Sequence, residues 1–184
     1  MLAAALAACT ALLGTLPTPA LARAPHRCSG GGLTPARSDE ATVERATLCL
    51  INRIRASHRL APLHGNPALG TVAASQVTTM VELDYFADVR PTGQTPLALI
   101  ASTPYARRAQ VSIGQNIAWG TGSDATPGEI VAAWMASPPH RRIILTSEYR
   151  DAGVAVTPAI PSIVDGGTTP AGATYAMEFG VRRH

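Results

Sequence analysis

The chain has 184 residues, of which 46% are apolar and 15% charged, and a formal net charge of +3. That length and apolar content suit one compact domain with some terminal extension and exclude a disordered chain. The charge excess carries no lysine at all, only arginine; it is compatible with an anionic envelope surface and too small to argue for nucleic acid.

The first 22 residues read as an export signal. Leu2 to Leu16 is almost wholly apolar, Pro17 and Pro19 interrupt the run, and Ala20-Leu21-Ala22 forms a small-x-small cleavage site. The run is short for a bilayer span and has no stop-transfer flank, so an integral membrane protein is not expected. An alternative reading takes Leu6-Ala7-Ala8-Cys9 as a lipobox, which would anchor the chain through Cys9; a buried N-terminal helix is a third. An exported chain stripped of this segment keeps two cysteines, Cys28 and Cys49, an even count that suits a disulfide. The alternative is one buried and one exposed thiol. Neither cysteine has the spacing of a metal site or a redox pair.

Residues 23–40 then form an extension, and the folded domain occupies 41–184. Val43, Ala46, Leu50 and Ile54 fall on one helical stripe, with Asp39 and Glu40 at its start and an end near His58. Asn66-Pro67 is a helix start, and Leu69, Val72, Ala73, Val77 and Met80 supply the buried face that follows. Thr95-Pro96 starts a short third helix with Leu97 and Ile100. Val111 to Trp119 reads as a strand. Thr126-Pro127-Gly128-Glu129 is a capping box opening a helix to Met135, which Pro138-Pro139 stops. Ala152 to Val156 reads as a buried strand. In a last strand Tyr175, Met177 and Phe179 alternate with Ala176 and Glu178, after a loop over Thr157 to Gly172 rich in Pro, Gly and Thr. Helices first and strands late predict α+β or a layered sandwich. Leu50, Ile54, Val77, Ile117, Val131, Trp134, Val154 and Phe179 are the expected core or its walls.

Between Gly114 and Leu145 the sequence runs Gly-Gln-Asn-Ile-Ala-Trp-Gly, a capped helix, then Ser-Pro-Pro-His-Arg-Arg-Ile-Ile-Leu. The stretch resembles the double signature of bacterial CAP domains, the superfamily of cysteine-rich secretory, antigen-5 and pathogenesis-related-1 proteins. Leu48 to Ala56 and Tyr85-Phe86 extend the resemblance over roughly Ala41 to Val181. It implies a three-layer α-β-α sandwich. It also implies a cleft in which many relatives hold two histidines and two carboxylates, and where some bind a divalent metal. Here the second histidine is His140, the position of the first is Asp88, and the glutamate of Gly-Glu-Asn is Gln115. No Asp or Glu occurs from Val89 to Ser123 to supply the second carboxylate.

Those replacements bear directly on chemistry. A glutamine cannot exchange a proton near neutrality and so cannot serve as general base. Its neutral oxygen is also a poor zinc ligand. Asp88 with His140 makes either a weak two-ligand metal site or a hydrogen-bonded ion pair. A third strong ligand would have to come from a distant acid such as Glu148, Asp151 or Glu178. The expectation is therefore a secreted or cell-envelope binding module without catalytic residues and without a required cofactor. The alternatives are a divalent-metal hydrolase and a binder of sterol, fatty acid or another apolar molecule. Envelope components and apolar small molecules are the expected partners, nucleic acid is not. His58, His64, His184 and the pairs Arg107-Arg108, Arg141-Arg142 and Arg182-Arg183 read as solvated side chains. Trp119 and Trp134 read as core or cleft wall. Ser112, Ser137 and Ser162 lack a nucleophile-elbow context.

Overall fold

The computed structural model describes residues 28–36, 39–165 and 171–183. Residues 1–22, expected from the sequence to be an export signal and containing Cys9, and His184 lie outside them. Cys28 and Cys49 are joined by a disulfide, Cα–Cα 5.7 Å, which ties the segment before the first helix to that helix across 21 residues of sequence. Closing a loop of that size stabilises by about 3 kcal/mol through the unfolded chain.

Helix α1 (Glu40–Ser57) starts after Asp39, whose side chain makes no capping bond. Strand β1 is only His64–Gly65. Helix α2 (Pro67–Glu82) begins where Asn66 accepts from the amides of Ala68 and Leu69, with proline in its first turn. Thr95 caps α3 (Pro96–Ala101), and Thr126 caps α4 (Pro127–Ala136). The long strand β2 (Gln110–Thr121) precedes α4. Strand β3 (Asp151–Thr157), a short α6 (Ser162–Asp165) within the predicted loop, and β4 (Gly172–Arg183) follow, and 3-10 turns lie at Pro104–Ala106 and Gly122–Ala125. Pro138-Pro139 stops α4 as expected and also opens a further helix, α5 (Pro138–Ile144), because proline is at home in a first helical turn.

The sheet order is β1-β3-β4-β2; β1 runs parallel to β3 and the other pairs are antiparallel. Helices cover both faces, which gives the α-β-α sandwich. On one face α1, α4 and α5 pack over Tyr175, Met177 and Phe179. On the other, Ala73, Val77 and Met80 of α2 pack over Ile117, Ala155 and Ala176. A third cluster, Leu69, Val72, Ile100 and Tyr105, joins α2 to α3, so the expected single core is three clusters arranged about the sheet, in which β4 residues 172–180 are buried throughout. The two layers approach closely at Gly153, where a Cβ would overlap the backbone of Leu69 and Gly70, so glycine is what lets α2 rest directly on β3.

One stripe needs correction. Helix α1 buries Val43, Ala46, Thr47, Ile51 and Arg55, whereas Leu50 and Ile54 are only partly covered and face α4. Val154 is likewise a wall residue. The rotation has a cause in Arg55, which has no exposed surface. Its guanidinium donates to the carbonyls of Ala61 (2.9 Å), Ile144 (2.7 Å), Thr146 (2.9 Å) and Tyr149 (3.2 Å), fastening α1 to the segment between α5 and β3. Burial pushes its pKa down, yet guanidinium remains protonated in proteins.

Candidate functional site

Strand β2 lies at the sheet edge, and the candidate site is built around its centre. From α2, the fully buried Gln76 donates through Nε2 to the Ala87 carbonyl at 2.9 Å, while its Oε1 accepts from Arg90 Nε at 3.2 Å. Arg90 also donates to Ser75 Oγ at 2.8 Å. These bonds fix the loop that carries Asp88. From the opposite layer, α5 delivers His140, and the buried Asn116 of β2 donates to the His140 carbonyl at 3.2 Å. Asp88 is exposed at the rim, but crowding of its carboxyl by the protein raises its pKa, which the nearby His140 partly offsets.

Beneath this pair lies a residue the motifs do not reveal. The β2–β4 register sets Gln115 directly opposite Glu178. Gln115 Nε2 donates to Glu178 Oε1 at 2.5 Å, with Gln115 only 7% exposed and Glu178 0%. Gln115 Oε1, Glu178 Oε2 and Asn116 Oδ1 are buried and have no partner among the described residues. Burial pushes the Glu178 carboxyl up to about 7, and the charge of Asp88 adds to the rise; the Gln115 hydrogen bond and Arg90 act the other way. The burial effect wins because, among the described residues, the carboxyl has one donor and no opposite charge in contact.

Asp88 thus lies within electrostatic reach of His140 and of Glu178, and Gln115 is bonded to Glu178 across the neighbouring strand. Of the other distant acids, Asp151 accepts from the Tyr105 hydroxyl at 2.8 Å, and Glu148 stands near Tyr149. His58 and His64 are exposed. Among the described residues no group of three His, Cys, Asp or Glu side chains is placed to hold a metal ion. The surface-accessible donors are one imidazole and one carboxylate, and the buried acid is bound to an amide. That set does not fit a zinc centre, which takes three protein ligands and an open position.

The family model for the cysteine-rich secretory protein family, CAP, matches residues 48–159, more than half of the chain. The chain belongs to the CAP family. A curated relative, the uncharacterized protein YkwD of Bacillus subtilis strain 168, is 31% identical over 121 residues, 66% of this chain and 45% of that protein; the CAP chain thus spans less than half of its relative's length. Two solved structures share the fold. An extracellular protein with an SCP domain from Bacillus anthracis superposes with a TM-score of 0.62 at 21% identity, over 81% of this chain and 45% of that one. An outer surface protein of Borrelia burgdorferi gives 0.60 at 18% identity, over 74% of this chain and 90% of that one. Asp88, Gln115 and His140 lie inside the CAP match and Glu178 beyond it. The one signal for Glu178 in the sequence is a lone acid in the apolar run Tyr-Ala-Met-Glu-Phe. No helix among the described residues is long and apolar enough to cross a membrane.

Proposed function

We propose that this CAP protein is an exported, non-catalytic binding module acting at or outside the cell envelope through the cleft of Asp88, Gln115, His140 and Glu178. The Gln115–Glu178 hydrogen bond carries this reading. The one strongly shifted acid in the cleft, with a pKa of about 7, has the strength of a general base but no exposed surface. A base has to reach the proton it removes, directly or through one water. Gln115 covers Glu178 and can neither accept a proton nor ligate zinc well. What remains open is a polar rim suited to recognition. Export is supported by the apolar leader with its small-residue cleavage site and by the Cys28–Cys49 bridge, which belongs to an oxidising compartment.

Calorimetric titration with zinc tests this. Wild type is expected to show no tight binding and no ester or peptide hydrolysis. Gln115→Glu should raise zinc affinity, since it places a second carboxyl against Glu178 and a metal can then displace their shared proton. Tight wild-type binding lost in His140→Ala, accompanied by turnover, would overturn the proposal.

A second reading has its own observation. The partly covered Leu50 and Ile54 of α1 and Val131, Ala132 and Met135 of α4 line a groove of about 590 Å³, with Arg53 and His58 also on its walls. That volume is in the range of small-molecule sites, and the Arg53 charge suits an apolar ligand with an acidic head. Wild type should displace a fluorescent fatty acid from solution, and Ile54→Asp should not; equal capture by both removes this reading.

A further inference from the structure

Trp119 lies four residues along β2 from Gln115, about 13 Å at the rise of a strand. It is 38% exposed, whereas Trp134 is buried and donates its indole N–H to the Ile117 carbonyl at 3.0 Å. An indole on an edge strand can be covered by one large neighbour. Here the facing positions of α4 are Ala132, Ala133 and Ala136, all exposed, and they leave a hollow of about 440 Å³ beside the ring.

Two carboxylates border that hollow. A Cβ on Gly120 would overlap the Asp124 carbonyl, so glycine is what lets the 3-10 turn Gly122–Ala125 fold back on β2. The fold-back brings Asp124 to the hollow. Thr126 then caps α4 and sets Glu129 in its first turn, on the same wall. Both acids are exposed, and among the described residues no basic side chain lines the hollow.

We propose that this hollow binds an organic cation, with an ammonium or guanidinium head seated on Trp119 between Asp124 and Glu129. The face of an indole carries negative potential and attracts a cation more strongly than other aromatic rings do. The carboxylates add to that field, and the alanines receive the carbon substituents of the head. A neutral apolar ligand would gain nothing from the two charges and would have to desolvate them. The site stands apart from the Gln115–Glu178 pair, so its failure would leave the proposed function intact.

Because Trp134 is buried, ligand-dependent emission reports on Trp119. The whole chain is titrated with choline chloride and, separately, with N-acetyl-arginine amide, by fluorescence and by calorimetry. The neutral isostere of choline, with carbon in place of the ammonium nitrogen, is the control. At least one cation is expected to saturate, with the neutral isostere about tenfold weaker. Trp119→Leu and the double variant Asp124→Asn with Glu129→Gln should each weaken binding about tenfold. The series that saturates distinguishes a free quaternary ammonium from a basic side chain. Saturation by neither cation, equal binding of the neutral isostere, or undiminished binding in either variant overturns the assignment.

Discussion

Glu178→Gln is expected to stabilise the protein by about 3 kcal/mol at about pH 8, and by almost nothing at about pH 4. The native carboxyl titrates near 7 and the unfolded one near the ordinary glutamate value of 4.5. Below the unfolded pKa both states are protonated and ionisation contributes no penalty. As pH rises through the window from 4.5 to 7, the unfolded chain releases its proton and the native one keeps it, so stability falls with pH. Above the folded pKa the full penalty is present. Glutamine removes the ionisation and still offers a carbonyl to Gln115 Nε2. For a chain of this size the gain corresponds to a rise in melting midpoint of roughly 5–10 °C at the alkaline end. Asp88 and Glu44 are shifted in the same direction, so the wild-type slope alone does not isolate Glu178; the difference between wild type and variant does. Parallel melting curves for the two across that range would rule out the buried-acid assignment.

Arg55→Ala should cost about 3–5 kcal/mol in urea unfolding, among the largest effects of any single truncation here. The guanidinium has no carboxylate partner in its hydrogen bonds; it is solvated by four main-chain carbonyls, one just after α1 and three from the end of α5 and the segment leading to β3. Truncation strips the buried Ile144 carbonyl of this donor, takes one donor from the carbonyls of Ala61, Thr146 and Tyr149, and opens a void beside α1. Arg55→Lys keeps the charge, but its compact ammonium cannot span the same four oxygens, so an intermediate loss is expected. A loss below about 1 kcal/mol in Arg55→Ala would mean that water replaces the clamp.

Local signals foretold much of this architecture. Asn66-Pro67, Thr95-Pro96 and Thr126-Pro127 each start a helix, because a capping side chain followed by proline satisfies the first turn without tertiary help. The alternation in β4 likewise places Tyr175, Met177 and Phe179 on one face. What depended on long-range pairing was hidden. Strand β1 is two residues long and exists only because β3 offers its edge. The apolar count along α1 favours Leu50 and Ile54, but a buried arginine with distant acceptors turns Ile51 and Arg55 inward instead.

The cleft follows the same division. Asp88, Gln115 and His140 could be read from local motifs. Glu178 could not, since its place opposite Gln115 follows from the β2–β4 register. An acid in an alternating strand ordinarily faces solvent. Here helices cover both sheet faces, so the side chain has nowhere to go but against Gln115.

The most direct test is the titration of Glu178 itself. Isotope-edited carbon NMR on glutamate-labelled protein, with the signal assigned by its loss in Glu178→Gln, gives the midpoint of that carboxyl. A midpoint of about 7, moving further up in Gln115→Leu as the donated hydrogen bond is removed, is the predicted result. A midpoint near the ordinary value of 4.5, unmoved by Gln115→Leu, would contradict a buried acid held by Gln115 and with it the non-catalytic cleft proposed for this protein.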